Sequence, residues 1–520
     1  MASIEKQEAS QPADHTDRSN SELKADSSAI ENARENGFTT YADDMANRLS
    51  EAHRVFLLRR HGTLDLDPLP SMDPADPYNW SLWKKIVNLL LVVFHAFMAT
   101  FSAAAINIAF ANISEQYNVS VQRASYLTSL QIAILGGAPL FWNPFSNRFG
   151  RRPVFLLSLI CSLVANIGCA KSPDYTSAAI CRAIEAFFIC PASAIGSGVV
   201  TETFFKKDRA RYMGIWTVMV TLGIPLAPFL FGFVTYRVGY RWIYWVLAIV
   251  NACQFVLYLF FGPETRYLGN NGRLASSWRT QYFSLRRIDP TPFSLYDFIH
   301  PLTMAVKHPS VIIPTAAHAM VFLFSNILLA INVPQLLQAK FKLNAEQLGL
   351  QFLGLIIGSI IGEQFGGILS DIWMNRREKK IQQKPQPEFR LWLSYFGFLL
   401  AIVGVIVSLV CTEQAADGHW VISPVIGAAI AAGGNQVTTT VLITYAVDCY
   451  PEEAASVGVF IMFVRQIWGF LGPFWFTPMF ENVGVSASAG VGTALIVGVS
   501  VIPTILLQWK GAVWRRSKIK

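Results

Sequence analysis

Ionisable residues stand inside apolar runs where lipid would be expected, among them Arg465 in the run 456–480. Arg182 and Glu185 lie in the run 177–200, and Glu363 lies in the run 346–369. A charge at bilayer depth is expensive, so it faces a partner or a wet cavity and commonly marks an ion or proton path. Arg182 and Glu185 are three residues apart, which puts them on one face of a helix. Pairing would hold Glu185 ionised, and loss of the pair would favour proton uptake, which makes the two a candidate coupling switch. A purely structural ion pair accounts for the same residues. Glu363 has no basic residue near it in sequence and sits beside Gly354, Gly358, Gly362 and Gly366. Such a stripe lets another helix approach closely, as a packing surface where halves slide or as a dimer seam. Glu363 is the strongest single candidate for a protonatable group; the alternative is an end-of-helix residue that merely reaches water.

These residues need elements to hold them. Hydrophobic residues make up 52% of the chain and charged residues 15%, against roughly 25% charged in a soluble globular protein. A spanning helix needs about 20 mostly apolar residues. Twelve runs qualify: 86–108, 124–146, 153–171, 177–200, 212–235, 241–262, 311–334, 346–369, 390–411, 420–445, 456–480 and 489–509. The expected fold is therefore an all-α membrane protein of twelve transmembrane helices in two six-helix halves. The organisation reads as a disordered cytoplasmic tail (1–85), a first half (86–262), a cytoplasmic connector (263–310), a second half (311–509) and a basic cytoplasmic tail (510–520).

One set of connecting segments holds 24 Lys and Arg residues and the opposite set six. Cytoplasmic loops carry the positive excess, so both termini are expected inside. The same rule explains the net charge of +8, and no nucleic-acid partner is implied. The connector carries Trp278, Tyr282 and Phe283 among basic residues and is expected along the inner membrane surface. The first 85 residues are polar, so the first span is expected to act as the insertion signal. The seven cysteines show neither zinc-ligand spacing nor an extracellular disulfide framework. Asn112 and Asn118 begin Asn-x-Ser sequons in a short predicted external loop, where glycosylation is doubtful. No phosphate-binding Gly-x-x-x-x-Gly-Lys-Ser/Thr loop occurs, and neither does His-Glu-x-x-His or Gly-x-Ser-x-Gly. Neither an ATP-driven pump nor an enzyme is expected, and no cofactor or metal is called for.

One motif occurs twice. Asn143-Pro-Phe-Ser-Asn147-Arg148-Phe-Gly150-Arg151-Arg152 follows the second run, and Gly367-Ile-Leu-Ser-Asp371 with Arg376-Arg377 follows the eighth. Two such loops in corresponding positions suggest a duplicated domain, the plan of many secondary transporters. Together with the spans and the long central connector, this pattern resembles the major facilitator superfamily over roughly residues 73–515. Asp73-Pro, Pro77-Tyr-Asn79-Trp80, Pro263-Glu-Thr-Arg266, Pro387-Glu-Phe-Arg-Leu391 and Tyr445-Ala-Val-Asp448-Cys-Tyr450 resemble segments of its fungal twelve-span drug:proton antiporter group, which also contains polyamine-type carriers.

The resemblance implies roles. The family's Gly-x-x-x-Asp-Arg-x-Gly-Arg-Arg loop is thought to latch the halves. Arg148, Gly150, Arg151 and Arg152 match it, Asn143 and Asn147 replace its Gly and Asp, and the second copy keeps Gly367 and Asp371. Asn147 can accept a hydrogen bond but lacks the charge that strengthens one. Arg182-x-x-Glu185 resembles the family's Arg-x-x-Gln-Gly pattern. Gly223-x-x-x-Ala227-Pro228-x-x-Phe231-Gly232 resembles its antiporter motif with two glycines lost; a small-residue face with a proline kink explains it equally well. The family's first, fourth, seventh and tenth helices line its cavity, which singles out Asn326, Asn435 and Gln436 as candidate substrate contacts.

The resulting expectation is a monomeric secondary active transporter in the bilayer, working by alternating access. Proton-coupled efflux of a small organic compound (drug, toxin or secondary metabolite) is the leading reading. Proton-coupled uptake of an organic cation such as a polyamine is the alternative, and a non-transporting receptor or scaffold is the rival of another class. The plasma membrane is the expected location, with a vacuolar or other internal membrane as the alternative.

Overall fold

The computed structural model describes residues 49–268, 287–382, 386–450 and 453–516. The expectations for residues 1–48, for Trp278, Tyr282 and Phe283, and for 517–520 lie outside the described residues. Twelve helices are long and apolar enough to cross a membrane: Leu82–Ala104, Val121–Phe149, Arg151–Lys171, Tyr175–Thr203, Lys206–Val238, Arg241–Phe261, Pro309–Phe341, Ala345–Ile381, Pro387–Gln414, Ser423–Cys449, Ala454–Val483 and Val485–Trp514. They are the first to twelfth spans below. Each covers one of the apolar runs read from the sequence, and the protein is an all-α, multi-pass membrane protein.

Local chemistry sets the ends. Ser81, Ser120 and Asp174 accept hydrogen bonds from the backbone N–H groups of Lys84, Arg123 and Ser177 at the starts of three spans. Asn344 and Gln347 form a reciprocal capping box at the start of the eighth. These caps satisfy donors that the helix itself leaves unpaired. Gly150, Gly239 and Gly484 turn the chain from second to third, fifth to sixth and eleventh to twelfth span, with φ of 96°, 95° and 92°. Only glycine adopts that backbone without strain. The same turn thus recurs in three of four three-helix units, as expected of a fold built from nested repeats.

The remaining unit departs from this plan and corrects one expectation. The sequence places both copies of the repeated motif in loops, but the structure places both mainly on helix. Asn143, Asn147 and Arg148 belong to the last turns of the second span, which ends at Gly150. Gly367 lies in a π-helical turn, Phe365–Leu369, and Asp371 in the helix that follows, Ser370–Ile381. Nothing breaks the backbone there until Gln382, at φ 57°.

A second correction concerns residues 1–85, read as a disordered tail. Residues 49–85 are ordered. Glu51–His61 is a helix with Ser50 as N-cap, a left-handed Gly62 as C-cap and Leu57 fully buried. Arg60 donates to the Asn79 carbonyl, and the Tyr78 hydroxyl donates to that of Thr201 at the end of the fourth span. The sequence underweights this segment because a few scattered buried residues, Leu57, Leu66, Ala75 and Trp80, and a set of polar anchors, rather than a continuous apolar face, hold it. The 510–520 tail is helical as far as Arg516. Asn112 sits within a short helix, Phe110–Tyr117, where a simple loop is expected.

Glycines decide which spans touch. Gly354, Gly358 and Gly362 meet Val425, Ala429 and Gly433 of the tenth span. The stripe therefore packs inside the second half, and the expectation of a surface where halves slide is not met there. Close approach between halves occurs elsewhere. Gly232 lies against Ala345 and Gly349, and Gly349 lies against the carbonyls of Pro228 and Phe229. Gly223 fits against Thr100 and Phe97 of the first span. The fifth-span motif thus uses one small residue within its half and another across the junction.

Candidate functional site

A cavity lies between the halves in two adjoining chambers. The larger is bordered by Thr100, Asn107, Thr128, Ile327, Arg465 and Gln466, with other apolar residues. The smaller is bordered by Val220, Thr221, Asn326, Asn435, Gln436 and Arg465. Phe322, Ile224 and Arg465 belong to both. Largely apolar walls with a few convergent polar groups suit a small-molecule site. Asn326, Asn435 and Gln436 thus border the same chamber. Asn326 sits in a ten-residue π-helical stretch, Leu323–Asn332, inside the seventh span. Periodicity alone did not announce this stretch, and such segments gather at functional sites. From it the Ala330 carbonyl accepts a 3.0 Å hydrogen bond from the Asn107 amide, tying the turn after the first span to the seventh.

The fourth span, which the resemblance puts at the cavity wall, contributes no lining residue among those described. Its charges turn elsewhere. Glu185 accepts 2.7 Å from the Ser102 hydroxyl and also accepts from the Gln131 amide. Arg182 donates to the carbonyls of Ser102 at 3.2 Å and Ala103 at 3.4 Å. Both side chains are fully buried. The direct Arg182–Glu185 ion pair expected from their spacing does not form: each is held by neutral groups of the first and second spans, although the guanidinium stays near enough for its charge to act on the carboxylate. Same-face spacing established proximity; the third partner, Ser102, has no sequence signal.

Glu363 is half-buried and is not isolated. Its Oε2 accepts 2.8 Å from the Gln436 amide and 3.4 Å from the Thr440 hydroxyl. Gln436 lines the smaller chamber, and its amide also reaches Thr221 of the first half at 3.4 Å. One amide therefore touches a carboxylate, the cavity and the opposite half.

On the face bearing the basic segments, the first copy of the repeated motif is a dense charge cluster. Arg151 meets Glu202 at 2.9 Å, and Arg266 reaches the same carboxylate at 3.4 Å. Glu264, from the Pro-Glu-Thr-Arg segment, accepts the backbone N–H groups of Arg151 at 2.9 Å and Arg152 at 3.0 Å. It thereby caps the third span, where the helix dipole favours an anion. Burial pushes the Glu264 carboxyl up from its ordinary range, and the backbone donors pull it back. Arg152 donates to the carbonyls of Gly262 at 2.6 Å and Leu259 at 2.9 Å. Arg148 pairs with Asp297 of a connector helix, Leu295–Lys307, at 2.5 Å and lies over Phe293. Asn147 makes no side-chain hydrogen bond among the described residues. In the second copy, Asp371 meets Arg390 at 3.5 Å, and Arg390 also meets Asp448 at 3.5 Å. Glu202, Glu264 and Asp297 were not singled out from sequence; the acidic residue inside Pro-Glu-Thr-Arg was the available signal.

Two helical halves around a shared central cavity are the plan of many secondary transporters. The chain belongs to the Major Facilitator Superfamily, which it matches over residues 92–473. It is 24% identical over 463 residues to the MFS-type transporter atr4 of Stereocaulon alpinum, covering 86% of this chain and 81% of that protein. It is 23% identical over 472 residues to fluconazole resistance protein 1 of Saccharomyces cerevisiae, covering 86% and 83%. Among solved structures, a variant of the peptide transporter POT in complex with alafosfalin superposes with a TM-score of 0.61 at 14% identity, over 85% of this chain and 97% of that one; at that identity the likeness is one of fold. The protein is a membrane-embedded secondary transporter of a small molecule rather than an enzyme.

Proposed function

We propose that this protein exports a small, largely apolar organic compound by proton-coupled alternating access, as a monomer in the plasma membrane with both termini cytoplasmic. The observation that carries the reading is Gln436, which lines the cavity, donates to Glu363 and reaches Thr221 across the junction. An ionised Glu363 only accepts hydrogen bonds, whereas a protonated one also donates. Proton binding would therefore change what the Gln436 amide can offer to substrate and to the first half. The Arg148–Asp297 pair to the connector helix and the Gly232–Gly349 contact are the elements that would part and re-form as the halves rock. One relative is named for fluconazole resistance, which supports the substrate class.

The test compares steady-state accumulation of labelled compounds, fluconazole first, in cells with and without the protein. Lower accumulation in expressing cells, lost on adding a protonophore, is expected. Higher accumulation would mean uptake instead, and equal accumulation across the panel would remove efflux.

A further inference from the structure

The protein places two arginines at membrane depth, and their surroundings differ. Arg182 has carbonyl acceptors and a nearby carboxylate, and it does not line the cavity. Arg465, on the eleventh span, is 9% exposed and borders both chambers. Among the described residues no carboxylate lies within ion-pair distance of it, and its guanidinium donates no hydrogen bond; the Nε is buried without any partner. Its contact is the Phe322 ring, 4.6 Å from the guanidinium carbon. A ring face offers far less than an anion, and leaving a buried charge uncompensated is costly. Arginine cannot shed its proton to escape that cost.

The other charged groups nearby do not neutralise it. Glu363 is held by Gln436 and Thr440, Glu185 by Ser102 and Gln131, and neither borders the cavity. Arg465 is the one charged side chain among the described residues lining either chamber. The cavity thus has mainly apolar walls in its larger chamber and an unsatisfied, planar cationic fork where its two chambers meet. The amides of Asn326, Asn435 and Gln436 stand on the smaller side.

We propose that this cavity takes an organic anion: an apolar body bearing a carboxylate or an equally acidic oxygen group, with the acidic group received by Arg465. A guanidinium matches a carboxylate with two parallel hydrogen bonds, which adds geometry to charge. The reading rests on the transport function proposed above and narrows its substrate; it opposes the organic-cation alternative directly.

The experiment measures thermal stabilisation of the purified full-length protein in detergent by matched triplets on several aromatic scaffolds. Each triplet is a carboxylic acid, its amide and its methylamine, for example 2-naphthoate, 2-naphthamide and 2-naphthylmethylamine. Acids should stabilise the protein at concentrations at least tenfold lower than their amides, and amines should be weakest. Arg465→Gln should erase the acid preference, and Arg465→Lys should keep part of it. Monodispersity and circular dichroism establish that each variant is folded, and a variant that fails this check is replaced by Arg465→Met. Acids no better than amides on every scaffold, or an acid preference that survives in Arg465→Gln, would overturn the assignment. Accumulation of the best acid in vesicles under a proton gradient is scored separately: binding preference without accumulation would leave this proposal standing and remove the transport reading.

Discussion

The two halves hold their charges in different ways. In the first half, every charge discussed has a local answer. Arg182 and Glu185 are fully buried among hydrogen-bond partners. Arg151 and Glu202 meet at 2.9 Å with side chains 7% and 16% exposed, and Glu264 caps the helix on which Arg151 stands. In the second half the corresponding contacts are longer and wetter. Arg390 meets Asp371 and Asp448 at 3.5 Å, with those carboxylates 66% and 41% exposed. Arg465 has no acid partner among the described residues, and Glu363 hangs on an amide that also faces the cavity. A charge with a complete set of partners stabilises one arrangement. A charge with an incomplete set is free to respond to a ligand or a proton. On this account the first half is the frame and the second half carries the substrate and proton events.

Breaking the frame should give the largest effect. Arg182→Met removes a nearby positive charge from Glu185 and leaves the buried Ser102 and Ala103 carbonyls without their guanidinium donor, and should cost about 1–3 kcal/mol, the penalty for buried polar groups left unsatisfied. The double variant Arg182→Met/Glu185→Met should unfold at a higher temperature than the single. Thermal unfolding in detergent reads both, and a single variant as stable as the double would show that the two charges are not coupled.

The two copies of the repeated motif give a smaller, paired contrast. A Cβ at Gly150 would run into the Glu264 carboxylate, and its φ of 96° is costly for any L side chain. Gly150→Ala should therefore lose at least about 1–2 kcal/mol from backbone strain alone. Gly367 is helical, with nothing within 4 Å of an added Cβ. Gly367→Ala should be neutral or gain up to about 1 kcal/mol from helix propensity. Equal melting temperatures for the two variants would contradict the asymmetry.

The smallest contrast is functional. Asp371 holds Arg390, whereas Asn147 bonds to no side chain or backbone group among the described residues. Asp371→Asn should slow transport several-fold, and Asn147→Ala should change it less than about twofold, an exposed ion pair contributing up to about 1 kcal/mol. The check is initial transport rate at matched expression; similar losses in both variants would mean that the two copies act alike.

The sequence made the spans legible because lipid imposes a simple rule: about 20 apolar residues and no unpaired backbone. It brought Asn326, Asn435 and Gln436 to one wall through the family resemblance, and it flagged Arg182, Glu185 and Glu363 because charge at depth is rare. What it could not supply was the identity of partners. Ser102, Gln131 and Thr440 are unremarkable in sequence and become functional neighbours only through helix packing. The helix Glu51–His61 was missed because its anchors are polar and distant. The glycine stripe of the eighth span was legible as a packing face, but nothing in its spacing said that the tenth span fills it. Arg465 had the same signal as Arg182; only the cavity distinguishes the answered charge from the unanswered one.

On this reading the second half's carboxylate, Glu363, carries the proton, while Glu185 belongs to the frame. The direct measurement is uptake of a labelled transported compound into proteoliposomes under an imposed pH gradient, for wild type, Glu363→Gln and Glu185→Gln, alongside exchange of the same compound without a gradient. Glu363→Gln should lose gradient-driven accumulation and keep exchange, because glutamine can still bond Gln436 and Thr440 but cannot cycle a proton. Glu185→Gln should accumulate at a level set by its folded fraction. Wild-type accumulation with a normal pH response in Glu363→Gln would contradict the claim.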